Sequence, residues 1–266
     1  MKIFNGDCLE IMPTLPDKSI DCFMCDLPYG CLTPQTYRGV IDKSGSDLGK
    51  EYGEKITWDI KIDLEKFWIE VKRLAKNDHT PVLMFCNTRF GAELINSNPS
   101  WFRYDLIWNK MRGVGFLSAN KQPLRSHELI YVFSKKGAYY KRIDVEGKPY
   151  FKKSKEEVSE QYNVKRVEGK NEGTRCVLSV VDCLNSAGHH RKGKQGNHPT
   201  QKPAELYEWL LRRYCPAEGC VLDPTAGSFT SCFVAEKLGL TAIGIEKDKT
   251  FYEKAKDKQD KIYCWI

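Results

Sequence analysis

No apolar run in this chain of 266 residues is long enough to cross a bilayer. The longest, around Val82 to Cys86 and Leu129 to Phe133, fall far short of the roughly 20 residues that a spanning helix needs. Asp7 and Glu10 stand where an export leader would need its apolar stretch, so a soluble, cytoplasmic protein with no membrane partner is the expectation. Internal repeats are missing, which sets aside repeat architectures, and so is the G-x-G-x-x-G of pyrophosphate-binding turns. Cys22-Phe23-Met24-Cys25 has no second cysteine pair at zinc-ribbon spacing and lies in a strand-like run, so a zinc site is disfavoured and no metal is expected. The eleven cysteines include Cys22, Cys25, Cys86 and Cys220 in apolar contexts, and read as buried thiols of a reducing compartment.

What is present suits a folded α/β protein. Hydrophobic residues at 41% and charged residues at 29% are enough to bury a core and leave a solvated surface, as one large domain with an insertion or with a small accessory unit. The net charge of +7 is confined to one place. From Ser134 to Asn197 there are 15 Lys and Arg against 8 Asp and Glu, which leaves 27 against 27 elsewhere. Tyr139, Tyr140, Tyr150, Phe151 and Tyr162 are interleaved with those charges, which favours a polyanion-binding surface over a merely solvated insertion.

Short apolar runs alternate with helical stripes, the pattern of β-α-β units and a mostly parallel sheet. Strands are predicted near Lys2 to Phe4, Ile20 to Cys25, Pro81 to Cys86, Tyr104 to Trp108, Leu129 to Phe133, Cys220 to Asp223 and Thr241 to Ile245. Leu64, Phe67, Trp68, Val71, Leu74 and Ala75 recur at helical spacing, as do Leu206, Tyr207, Leu210, Leu211 and Tyr214, and both stripes read as core. Two stretches break the alternation. Residues 33–57, rich in glycine, read as a mobile loop, and residues 134–197 as a basic insertion.

Two strings carry the chemistry. Val221-Leu222-Asp223 reads as a strand end, Pro224 to Ser228 as a tight turn and Thr230 to Leu238 as a helix; a second strand then ends at Glu246. Small residues let backbone approach a nucleoside, and the acidic residue about twenty positions on can accept from ribose hydroxyls. Only Gly227 and Gly239 are available, so a nucleoside cofactor without a pyrophosphate fits better than a dinucleotide. An ordinary βα turn followed by a surface Glu is the competing reading.

Asp26-Leu27-Pro28-Tyr29 stands at the carboxyl end of the strand-like run Ile20 to Cys25, where open parallel sheets place their sites. Leu27 precedes a proline and is biased to extended backbone, its carbonyl directed outward. An amino group on a planar base is a poor nucleophile because its lone pair is delocalised into the ring. Two acceptors, the Asp26 carboxylate and the Leu27 carbonyl, can hold both of its hydrogens and favour a pyramidal nitrogen, while Tyr29 stacks on the base. Positioning and stabilisation of the developing positive charge then do most of the catalysis. The competing reading is an Asp and Pro that merely turn the chain.

The order of these strings, with His198-Pro199-Thr200-Gln201-Lys202-Pro203 between them, resembles that of the β-class DNA amino-methyltransferases. The likeness covers nearly the whole chain. It implies a circularly permuted Rossmann-like α/β methyltransferase fold: a mostly parallel seven-stranded sheet with helices on both faces. Residues 1–133 would form the catalytic part, 134–197 a target-recognition insertion and 198–266 the cofactor-binding part. S-adenosylmethionine is the implied cofactor and double-stranded DNA the implied partner, in a bacterial cytoplasm or the host compartment of a phage or virus. A homodimer and a cognate restriction enzyme are further partners that the resemblance allows.

The family pattern assigns catalysis to Asp26, Leu27, Pro28 and Tyr29. It assigns cofactor contacts to Asp7, Thr200, Lys202, Asp223, Thr225, Ala226, Gly227, Ser228 and Glu246. Arg112, Lys121 and Arg125 are the candidates for DNA phosphates, against a reading as scattered surface cations. Two residues depart from the pattern: Leu27 replaces a proline, which leaves the carbonyl in place, and Phe229 replaces a glycine of the cofactor turn, where it would crowd the cofactor or reshape the turn. Adenine N6 is expected ahead of cytosine N4. An amine of RNA or protein, and a catalytically silent DNA-binding relative, stay open as alternatives.

Overall fold

In a computed structural model of the chain, each of the seven apolar runs becomes a strand of one sheet; the residues described are 1–31, 59–153, 155–159, 164–166, 169–184 and 201–263. The first half comprises β1 (Lys2–Asn5), α1 (Cys8–Ile11), β2 (Cys22–Cys25), α2 (Leu64–Leu74), β3 (Val82–Cys86), α3 (Thr88–Ser97), β4 (Phe102–Val114) and β5 (Arg125–Phe133). Six short strands follow: β6 (Val145–Glu146), β7 (Tyr150–Lys152), β8 (Lys155–Ser159), β9 (Val164–Arg166), β10 (Gly169–Asn171) and β11 (Thr174–Arg175). The chain then forms β12 (Val180–Asp182), α4 (Ala204–Tyr214), β13 (Cys220–Asp223), α5 (Thr230–Lys237), β14 (Thr241–Glu246) and α6 (Lys249–Tyr263).

The sheet order is β1-β14-β13-β2-β3-β5-β4-β12, with β5 antiparallel to both neighbours and every other pairing parallel. Strands β13 and β14, from the end of the chain, lie between β1 and β2, from its beginning. The rotated order of the motifs is thereby resolved in space, because the carboxyl ends of β2, β13 and β14 come out at one edge of the sheet.

Two boundaries differ from the sequence reading. An eighth strand, β12, extends the sheet by pairing with β4, Val181 opposite Trp108. Three residues with one buried side chain are too few for alternation to show. Strand β4 also continues beyond Trp108 to Val114, because its pairing with β5 persists into a polar, exposed arm.

Strand alternation splits the core into two layers. Phe23, Cys25, Val82, Met84 and Phe133 face one side, against Phe67, Trp68 and Val71 of α2. Cys22, Met24, Leu83, Phe85 and Val132 face the other, against Leu206, Leu210 and Leu211 of α4 and Cys232 and Ala235 of α5. Each fully buried large side chain contributes roughly 1.5–3 kcal/mol. Helix α2 starts where Asp63 accepts from the amides of Glu65 at 3.0 Å and Lys66 at 3.1 Å, and ends with Lys72 and Arg73 against the helix dipole. Cys22 and Cys25 belong to opposite layers, so the C-x-x-C pair cannot share a metal ion.

Residues Met1–Tyr140 and Val180–Ile266 form one unit and Lys141–Ser179 another, within the stretch read as the basic insertion. The described residues of the second unit form three antiparallel two-stranded ribbons, β7 with β10, β6 with β11 and β8 with β9. Within it the Arg175 guanidinium lies 4.5 Å from the Tyr150 ring centre. The loop read over 33–57 and the end of the insertion from 185 lie outside the described residues.

Candidate active site

A cavity of about 920 Å³ opens at the carboxyl edge of the sheet, lined both by the Asp26 to Tyr29 string and by the Pro224 to Ser228 turn. The two motifs that the sequence separates most widely therefore share one chamber. They are also bonded directly, since the Thr225 hydroxyl donates to the Asp26 carbonyl at 3.0 Å.

The turn after β13 is fixed from both sides. Glu246, at the end of β14, accepts from the Gly227 amide through Oε2 and from the Asp248 amide through Oε1, both at 2.7 Å. Burial raises the Glu246 carboxyl above its ordinary range, and those backbone donors oppose the shift. The Ala226 amide donates to the Ile245 carbonyl at 2.8 Å, and Gly227 adopts a φ of +53° that favours glycine. Asp7 lies on the same wall; its Oδ1 caps α1 through the Leu9 amide at 3.0 Å, and its Oδ2 meets Lys247 at 3.0 Å.

Asp223 does not line the cavity. It is buried beneath the turn, where it accepts from the Thr225 amide at 3.1 Å and from the Ser231 hydroxyl. Burial pushes its carboxyl up to about 7, with the charges of Asp26 and Glu246 acting in the same direction against those two hydrogen bonds. Of the two expectations for Phe229, crowding of the cofactor or reshaping of the turn, the first is corrected, because the residue does not line the cavity. Its backbone takes a left-handed φ of +56°, which aims the ring away from the cavity into the core beside α5. The ring lies over Gly244 of β14, where an added Cβ would stand 2.6 Å from Phe229 Cδ1.

Asp26 follows β2 directly, and both its carboxylate oxygens have donors. The Tyr29 hydroxyl donates to Oδ1 at 3.0 Å and the Lys202 ammonium to Oδ2 at 2.5 Å. The Tyr29 ring is itself held, stacked on Phe90 with centres 5.3 Å apart, so it positions Asp26 as well as lining the cavity. Leu27 is buried in the core, which anchors the string and leaves its backbone rather than its side chain to act.

Lys202 is almost wholly buried, and its second neighbour is Glu128 at 3.6 Å. Burial works against the ammonium, yet Asp26 and Glu128 together raise its pKa above the ordinary lysine value. Glu128 in turn pairs with Lys110. Burial likewise works against the Glu128 carboxylate, but Lys202 and Lys110 hold it below its ordinary value. The result is a chain of alternating charge, Asp26, Lys202, Glu128 and Lys110, along the cavity wall. The sequence reading assigns no role to Glu128 or Lys110. Their signal is strand alternation, because Lys110 continues the face of Leu106 and Trp108, and Glu128 that of Ile130 and Val132.

Arg125 reaches the cavity rim, whereas Arg112 and Lys121 stand on the exposed arm and loop beyond it. Thr200 lies outside the described residues, as do His198 and Pro199. Gln201 of the same box ties to α5, its amide donating to the Thr230 hydroxyl at 2.9 Å. Among the described residues no cluster of His, Cys, Asp and Glu is arranged to hold a metal, and no helix is long and apolar enough to cross a membrane.

Comparison with known proteins gives the family of the chain. A DNA methylase family model, that of the N6/N4 methylases, matches residues 20–257. Type II methyltransferase M.HinfI of Haemophilus influenzae is 26% identical over 269 residues, spanning 98% of this chain and 68% of the relative. M.HpaI of Haemophilus parainfluenzae, also a type II methyltransferase, is 23% identical over 268 residues, spanning 97% and 74%. The PvuII DNA methyltransferase, cytosine-N4-specific, superposes with a TM-score of 0.60 at 15% identity over 96% of this chain and 84% of its own. A complex of M1.HpyAVI with S-adenosylmethionine gives a TM-score of 0.57 at 19% identity over 97% and 98%. At those identities the superpositions show a shared fold. The family match over most of the length shows more: the chain belongs to the N6/N4 DNA methylases.

Proposed function

We propose that this chain moves a methyl group from S-adenosylmethionine to the exocyclic amine of a base flipped out of double-stranded DNA, adenine N6 ahead of cytosine N4. The observation that carries the reading is the shared cavity, with Asp26 and Leu27 on one part of its wall and the Thr225 to Ser228 turn with Glu246 on another. Small side chains and a φ-positive glycine at the turn, with the Asp7 and Glu246 carboxylates beside it, suit a nucleoside that carries hydroxyls and no phosphate. The cofactor supplies an electrophilic methyl group when bound.

The protein's own residues do the rest. The carboxylate of Asp26 and the carbonyl of Leu27 accept the two amine hydrogens, and each carboxylate oxygen retains a free lone pair beside its Tyr29 or Lys202 donor. Held in this way, the nitrogen directs its lone pair out of the base plane, and the Asp26 charge offsets the positive charge that develops on it. An Asp at the head of the string, rather than the Ser more associated with cytosine, supports the adenine preference. A cognate restriction enzyme, if present, would cut the sequence that this methylation protects.

The test is incubation with labelled S-adenosylmethionine and diverse unmethylated DNA, followed by digestion to nucleosides. N6-methyladenine is the expected product. N4-methylcytosine alone would reverse the base preference, and absence of both methylated bases would sink the reading. RNA and peptide competitors run alongside should leave the rate on DNA unchanged.

A further inference from the structure

We infer that Glu128 is a positioning residue that governs the charge Asp26 presents to the substrate amine. The inference rests on the proposed role of Asp26 as amine acceptor and goes beyond it to a second carboxylate that the reaction needs. Four ionised groups stand in sequence along the cavity wall: Asp26, Lys202 at 2.5 Å from it, Glu128 at 3.6 Å from that ammonium, and Lys110 bonded to the other Glu128 oxygen. Their charges alternate and sum to zero. The Lys202 side chain is only 7% exposed and that of Lys110 8%, so solvent screens them poorly.

Methyl transfer to an amine places new positive charge beside this wall. Two buried ammonium groups would oppose that charge if only Asp26 balanced them. Glu128 supplies the second negative charge. Its Oε2 is buried, lies in the cavity wall and has no hydrogen-bond partner, while the Lys202 ammonium already stands between it and Asp26. Lys202 therefore has an alternative anchor when the incoming amine competes for Asp26. A shift of the ammonium toward Glu128 leaves more of the Asp26 negative charge to the amine that its free lone pairs accept.

The chemistry imposes a clear pattern on variants. Glu128→Gln keeps the shape but leaves a net positive wall and ties Lys202 to Asp26, so kcat should fall on the order of 100-fold, the size expected for one uncompensated charge a few ångströms away at moderate effective dielectric. Cofactor affinity should stay unchanged, because Glu246 holds the turn through the Gly227 amide and the turn's bond to Asp26 is to the main-chain carbonyl, not to the carboxylate that Glu128 influences. Lys110→Met combined with Glu128→Gln restores neutrality and should recover most of the lost kcat. Two residues in contact couple in any role, so the distinction lies in the readout: a purely structural role would show as lost stability and weakened cofactor binding that recover together in the double variant, whereas charge balance moves kcat with cofactor affinity unchanged.

The experiment measures kcat and KM for DNA methylation, with calorimetric titration of S-adenosylmethionine, on the parent and on E128Q, K110M and K110M/E128Q. Loss of kcat in E128Q with retained cofactor binding, and recovery in the double variant, is the expected result. Parental kcat in E128Q, or a double variant slower than E128Q, would overturn the inference while leaving the proposed function standing. A parent that methylates no DNA would overturn both. If E128Q does not fold, the neutral double variant still decides, since an inactive but cofactor-binding double variant refutes the charge balance.

Discussion

Replacing Phe229 by Gly tests the packing that lets this chain depart from its family's glycine. The left-handed backbone at φ +56° costs a residue with a Cβ about 1–2 kcal/mol, which Gly would recover. Against that, the Phe229 ring is fully buried among Gly244, Cys232 and the α5 core, and deleting such a ring costs roughly 3–5 kcal/mol. Lost packing therefore outweighs relieved backbone strain. F229G should lose about 1–4 kcal/mol in urea unfolding, as the difference of those two effects. Cofactor affinity, measured by calorimetric titration at a temperature where both proteins are folded, should be close to parental because the ring does not line the cavity. A variant as stable as its parent, or one that binds the cofactor more than tenfold tighter, would refute the placement of the ring in the core.

Two further outcomes follow from the site. Burial holds the Asp223 carboxyl at about 7 in the folded protein against 3.8 ordinarily, so the folded state keeps a proton that the unfolded chain releases. Its contribution to stability is present below about pH 4 and is lost as pH rises to 7. Asp223→Asn, always neutral, should therefore gain stability relative to the parent across that window in urea melts, with a constant gap above it; a gap that does not change with pH would contradict the burial. Arg125→Ala should weaken DNA binding and reduce the slope of log affinity against log salt by about 1, since Arg125 is the phosphate candidate at the cavity rim. An unchanged slope in a salt titration would assign Arg125 to the surface alone.

Much of the scaffold is readable from residue patterns because the sheet's interior is built from short apolar runs. Phe23, Leu83, Val132 and Leu222 are each fully buried, and their runs announce strands whichever way the chain is threaded. Asp26 and Glu246 are legible for a related reason, since each is the first acidic residue at the carboxyl end of such a run. The strand β12 is not legible, because Val181 is its only buried residue. Lys110 and Glu128 receive no role from the sequence because each is a charged residue that looks solvated in isolation. What buries them is mutual: β4 and β5 pair with Trp108 opposite Glu128, and only that register brings the two charges together and then to Lys202 from the distant box before α4. Phe229 misleads for a backbone reason, as residue identity says nothing of a left-handed φ that turns the ring from cavity to core.

The most direct measurement is methyl transfer by Asp26→Asn, with cofactor binding titrated on the same preparation. The carboxamide keeps the shape of Asp26 and removes its charge, while Glu246, Gly227 and the turn retain their own hydrogen bonds. Transfer to DNA should fall by on the order of 100-fold or more, with S-adenosylmethionine bound as tightly as by the parent. Transfer at the parental rate would show that Asp26 does not hold the amine.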